Sequence, residues 1–112
     1  MSDLLTANPK IDAAFAVNDP SGIGAELAAR QAQRKDLFIA AVDGSPDATG
    51  ALKDPESMFA ATASQDPYAM AQKAVELGVK VLSGETLETQ KLLIPVQLIT
   101  KENVKDYKGW TK

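Results

Sequence analysis

The stretch IDAAFAVNDPSGIGAELAARQAQ, residues 11–33, decides the fold. Ile11 to Val17 is a largely apolar run that predicts a buried β-strand, and Asn18 ends it. Asp19-Pro20 then starts a helix, with Asp19 as N-cap and Pro20 at the first helical position, where a missing N–H costs nothing. The helix extends to about Gln33, with Ile23, Leu27 and Ala28 on one face.

The same unit repeats downstream. Leu37 to Val42 predicts a second strand ending at Asp43; Gly44 supplies the turn and Ser45-Pro46 caps a short helix through Leu52. Met58 to Ala63 predicts a third strand ending at Ser64-Gln65, and Asp66-Pro67 caps a longer helix through about Leu82. Its inner stripe is Ala71, Ala74, Val75, Gly78 and Leu82, and Gly84 stops it. Leu92 to Ile99 is a fourth apolar run, an edge strand or a broken one because Pro95 cannot donate to a ladder. Thr100 to Tyr107 predicts a last helix, which Tyr107 and Trp110 would anchor by burying ring area. Upstream, Met1 to Ala7 reads as the end of a helix, with Leu4-Leu5 inward and Asn8-Pro9 terminating it.

Strands alternating with helices, and apolar runs without strict alternation, predict an α/β fold: a partial three-layer αβα arrangement around a parallel sheet covered on both faces. The composition agrees. A chain of 112 residues is one domain's worth, and 45% hydrophobic with 24% charged residues is the balance of a soluble globular protein rather than a disordered one. The net charge of -3 and scattered basic residues argue against nucleic acid as a partner. The densest basic group, Arg30, Arg34 and Lys35, suits the negative end of a helix. Cys and His are both absent, which removes disulfides, thiolate chemistry, the usual triads and zinc motifs. No cofactor or metal is expected, and no enzyme activity: there is no GxSxG, and Gly22-Ile23-Gly24 lacks the spacing of a dinucleotide loop. No apolar run is long enough to span a membrane, and Ser2-Asp3-Leu4-Leu5 is not a secretory leader.

Ligands of open parallel sheets gather beyond the carboxyl ends of the strands. Asn18, Asp43 and Gln65 each follow a strand, so all three belong on one rim. A carboxylate can accept from two neighbouring hydroxyls, and an amide both donates and accepts; a neutral polyol needs that mixture. Such residues also cap helices and form Asx turns. Asp19, Ser45 and Asp66 occupy the predicted cap positions, which leaves Asn18, Asp43 and Gln65 without that duty. On pattern alone the cap and ligand readings both stand.

The blocks LLTANPKIDAAFAVNDPSGIGAELAARQA, FIAAVDGSPDA and ATASQDPYAMAQKAVEL resemble the C-terminal half of periplasmic sugar receptors of the ribose/galactose/fructose-binding type, and LIPVQLITKENVKDYKGW resembles that family's ending. The resemblance implies that Asn18, Asp43 and Gln65 contact sugar hydroxyls. It implies a ribose-, galactose- or fructose-like monosaccharide as ligand, a membrane permease of an ABC transporter as partner, and a periplasmic full-length parent. Residues 1–66 then correspond to the later part of the C-terminal lobe, 67–97 to a helix and strand crossing to an N-terminal lobe, and 98–112 to a return segment. About half of the sugar site is expected here; ring-stacking aromatics, an Arg and the other lobe's contacts lie outside this sequence. An edge left open at Ile11 to Val17 predicts self-association by exchange of the segment after Gln65 between two chains. The effector domain of LacI-type regulators shares the resemblance and is the alternative. A phosphoryl-receiving signalling domain using Asp19 and Asp43 is a further one, but it requires a Lys at a later strand end, where this chain has Gln65.

Overall fold

Each repeat of the sequence becomes a strand followed by a helix in the computed structural model, which describes residues 1–89 and 91–110. In chain order the elements are α1 (Ser2–Ala7), β1 (Ala13–Phe15), α2 (Asp19–Gln31), β2 (Phe38–Asp43), α3 (Pro46–Lys53), β3 (Phe59–Ser64), α4 (Pro67–Leu82) and β4 (Gln97–Thr100). The strands lie in the order β1-β2-β3-β4, so β1 is an edge strand. β1, β2 and β3 are parallel, with Ala14 opposite Ile39 and Asp43 opposite Ser64. β4 differs from the all-parallel expectation: it runs antiparallel to β3, pairing Gln97 with Ser64 and Thr100 with Ala61. Pro95 breaks the fourth apolar run, and only the part after it joins the ladder.

One core forms between the sheet and the helices α1 to α3. Ile39, Ala41, Phe59 and Ile99 from the strands meet Ala25 and Ala29 of α2, Ala48 and Leu52 of α3, and Leu5 of α1. Leu4 points away and is exposed, contrary to the expected inward Leu4-Leu5 pair. The buried face of α2 also differs from expectation. Gly22, Ala25, Glu26 and Ala29 turn inward, whereas Leu27 is 58% exposed. The cause is close packing: a Cβ on Gly22 would lie 2.7 Å from the ring of Phe59. A helix that approaches a sheet this tightly presents small residues. Glu26 is buried because Arg30, the Ser57 hydroxyl and the Met58 N–H all donate to it.

The alternate residues of the strands face the other way. Phe15, Phe38 and Leu98 are each more than half exposed there, so the covering expected on both faces is found on one among the described residues. α4 has the bounds that its Asp66-Pro67 cap and Gly84 predict. It ends in a Schellman turn: Gly84 at φ +82, with Gly84 N–H donating to Val81 C=O and Glu85 N–H to Lys80 C=O. Its inner stripe is not inward, because no residue of α4 is buried. With the 92–96 segment, α4 borders an apolar groove of about 450 Å³ lined by Met70, Ala74, Leu77, Leu93 and Pro95.

The expected helix from Thr100 to Tyr107 is absent. Thr100 closes β4 and residues 101–106 form turns. The Asn103 side chain accepts from Thr100 N–H and donates to Leu98 C=O, offering the backbone a turn in place of a helix start. The basic group near the end of α2 does more than sit in solvent. Arg34 donates to the carbonyls of Pro9 and Ile11 and pairs with Asp36, and Arg30 donates to the Glu56 carbonyl.

Candidate functional site

The parallel register brings the ends of β2 and β3 side by side, and Gln65 N–H donates to Asp43 C=O at 2.9 Å. From there the Gln65 amide nitrogen donates to Asp43 Oδ1 at 3.0 Å, while Asp43 Oδ2 accepts the backbone N–H of Asp19 at 3.2 Å. Both oxygens of the carboxylate are thus steered, one by the next strand and one by the start of α2. Asp43 is only half-buried, so it keeps an open side.

Asn18 flanks this pair, but its role differs from expectation. Asn18, not Asp19, is the N-cap of α2: its Oδ1 accepts Ser21 N–H at 2.9 Å. The cap and rim readings of Asn18 are therefore not exclusive, since Oδ1 does the capping and the amide's NH2 group has no hydrogen-bond partner among the described residues. Ser45 and Asp66 cap α3 and α4 as the sequence predicts.

Asp19, freed of capping, is fully buried beneath the rim. Its Oδ1 accepts the Thr62 hydroxyl at 2.7 Å and its Oδ2 accepts Ser45 N–H at 2.7 Å. Thr62 Oγ1 in turn accepts Gly44 N–H. One carboxylate therefore joins α2, α3 and β3. Burial of an unpaired charge costs several kcal/mol, and these two donors offset it. Sequence reading missed this because Asp-Pro signals a cap; the available clue was Thr62, a hydroxyl in the middle of an apolar strand.

The backbone at the rim is strained. Asp43 has φ +134, a region that costs a non-glycine residue roughly 1–3 kcal/mol, and Gly44 follows at φ +72. A Cβ at Gly44 would lie 2.6 Å from both the Ser64 Cβ and the Tyr107 hydroxyl, so glycine is required there. Two tail residues close over this turn: Tyr107 OH donates to Gly44 C=O at 3.2 Å and Trp110 Nε1–H to Asp43 C=O at 2.9 Å. Burial pushes the Tyr107 phenol above its ordinary range, with Asp19 and Asp66 adding to the effect and a hydrogen bond to Ser64 opposing it. Beside Gln65, a cleft of about 320 Å³ opens between Ser64, Pro95, Gln97 and Tyr107.

No cluster of metal-ligating side chains exists among the described residues. Asp19 is fully buried, and each of its carboxylate oxygens already accepts one donor.

Residues 1–86 match the family described as the periplasmic binding protein domain. The chain belongs to that family. Among curated periplasmic binding proteins it is 38% identical over 102 residues to the ribose import binding protein of Salmonella typhimurium, covering 91% of this chain and 33% of that protein. An ABC transporter solute binding protein from Mycobacterium smegmatis, solved with bound glycerol, superposes with a TM-score of 0.87 at 30% identity, over 97% of this chain and 37% of that one. One from Agrobacterium vitis, solved with bound allitol, gives 0.83 at 30% identity, over 94% and 37%. The chain spans about a third of the length of the curated relatives it matches.

Proposed function

We propose that this periplasmic binding protein chain carries half of a monosaccharide site for ABC-transporter uptake, with Asn18, Asp43 and Gln65 as its hydroxyl contacts. The observation that carries the reading is the Asp43–Gln65 pair, bonded at 3.0 Å on an accessible rim beside the unpaired amide of Asn18. A carboxylate held this way accepts sugar hydroxyls, and the two amides complete a mixed donor and acceptor set with no group poised for proton transfer. The similarity to ribose and apiose import binding proteins supports a pentose-like guest, a periplasmic setting and a membrane permease as partner of the whole protein. Residues 67–97 then serve as the crossover to a second lobe, in keeping with an α4 that buries nothing.

Half a site leaves most of a sugar in water, so affinity is expected to be millimolar or weaker. Titration with ribose, galactose and fructose, followed through the Asn18 and Gln65 side-chain amide resonances, is expected to give small saturable shifts that Asp43→Ala abolishes. Sub-micromolar binding contradicts the half-site reading. Absence of any response to all three sugars, or an unchanged response in Asp43→Ala, contradicts the assignment of the residues.

A further inference from the structure

Two consecutive carbonyls of the rim, those of Asp43 and Gly44, each receive a side-chain donor from the same C-terminal tail. They lie where φ is +134 and then +72, at the last residue of β2 and the one after it, and Asp43 C=O also accepts Gln65 N–H from the sheet. Rotation of the peptide between them would take Gly44 N–H off Thr62 and Asp43 C=O off Gln65 N–H, disturbing the backbone that carries the Asp43 carboxylate to Gln65 and to the start of α2. The tail's two donors oppose that rotation alongside the sheet's own bond to Asp43 C=O. The fit is close, since even a methyl group on Gly44 would meet the Tyr107 hydroxyl.

We propose that Trp110 and Tyr107 are positioning residues that latch the Asp43–Gly44 turn, and that Trp110 is thereby an optical reporter of the site. The sugar-affinity part of this rests on the reading of Asp43 as a ligand carboxylate; the latch itself does not. Trp110 is the only tryptophan in the chain and is 45% exposed, so its emission comes from one place and senses what occupies the rim.

The test uses the full chain with Trp110→Phe and Tyr107→Phe, each of which keeps an aromatic ring and removes one donor. Without sugar, both variants are expected to shift the Gln65 side-chain amide and the Asp19 backbone amide resonances, which report the two oxygens of Asp43, while methyl resonances of Ile39 and Leu52 in the core stay in place. With D-ribose, each variant is expected to bind about twofold to tenfold more weakly, the loss that follows from one hydrogen bond. Emission from Trp110 in the unmodified chain is expected to change on adding D-ribose. Unmoved Gln65 and Asp19 resonances in both variants overturn the latch. Should the variants fail to fold, hydrogen exchange of the Trp110 Nε1–H in the unmodified chain decides: slow exchange supports the latch and exchange at the rate of free indole overturns it. Shifted Gln65 and Asp19 resonances in a chain that ignores ribose leave the latch standing and overturn the sugar reading instead.

Discussion

Replacing Asp19 by Asn changes one oxygen to an NH2 group and little else in shape, at a position with no solvent contact. Two donors converge on the native carboxylate, the Ser45 N–H and the Thr62 hydroxyl, both at 2.7 Å. The remaining amide oxygen can serve only one of them. The Ser45 N–H has no way to turn, so the oxygen goes there and the new NH2 faces Thr62. Thr62 Oγ1 already accepts from Gly44; accepting a second time orphans its own proton. Exchanging a charge-assisted bond for a neutral one costs about 1 kcal/mol and an orphaned buried hydroxyl about 1–2 kcal/mol more. The expected loss is therefore about 2–3 kcal/mol, which for a chain of this size lowers the melting temperature by about 8–12 °C. Urea unfolding followed by circular dichroism measures it, and an unchanged slope against denaturant confirms that the same surface is exposed. Combining Asp19→Asn with Thr62→Val completes a double-mutant cycle, with a coupling of about 1 kcal/mol or more expected between groups in direct contact. If Asp19→Asn stays within about 0.5 kcal/mol of the parent, or adds to Thr62→Val without coupling, the buried carboxylate is not the tie described above.

Three other outcomes are expected. Gly22→Ala pushes a methyl group to 2.7 Å from the Phe59 ring and is expected to cost about 1–3 kcal/mol in the same urea assay, whereas Gly24→Ala, with open space around it, is expected to gain stability. Tyr107 ionises above the ordinary phenol range, so ultraviolet titration is expected to show a late step that Tyr107→Phe removes. Because its pKa is raised on folding, the stability it contributes is complete below about pH 10 and declines as pH climbs through the raised value. Sedimentation is expected to show a concentration-dependent dimer, with α4 exchanged between two copies, since that helix buries none of its residues at home and Val75, Val79 and Leu82 are exposed on it; a clean monomer at high concentration counts against exchange.

Helix ends with strong local chemistry were the most legible part of the sequence. Asp66-Pro67 and Gly84 bound α4 because cap, proline and glycine each act within one turn. The strands were legible as apolar runs, and the three rim positions followed from where those runs stop. What failed depended on partners distant in sequence. The inward face of α2 was hidden because large residues draw attention while Gly22, Ala25 and Ala29 do the packing against Phe59. The cap of α2 was misassigned because Asn18 and Asp19 are equally competent chemically; only Ser45 and Thr62, 26 and 43 residues away, draw Asp19 inward. The turn at 101–106 replaced a helix because the Asn103 side chain takes Thr100 N–H and donates back to Leu98 C=O. The tail's grip on the Asp43–Gly44 turn links residues more than 60 positions apart and leaves no local trace.

The junction made by Asp19 has a consequence for recognition. Loops that carry contact groups ordinarily lose conformational freedom when a guest arrives, and that loss subtracts from affinity. Here the segments bearing Asn18, Asp43 and Gln65 are fastened to one another from below as the core forms. Their spacing is preorganised, so on the proposed sugar-site reading the entropy of arranging them is already lost in folding and does not subtract from binding.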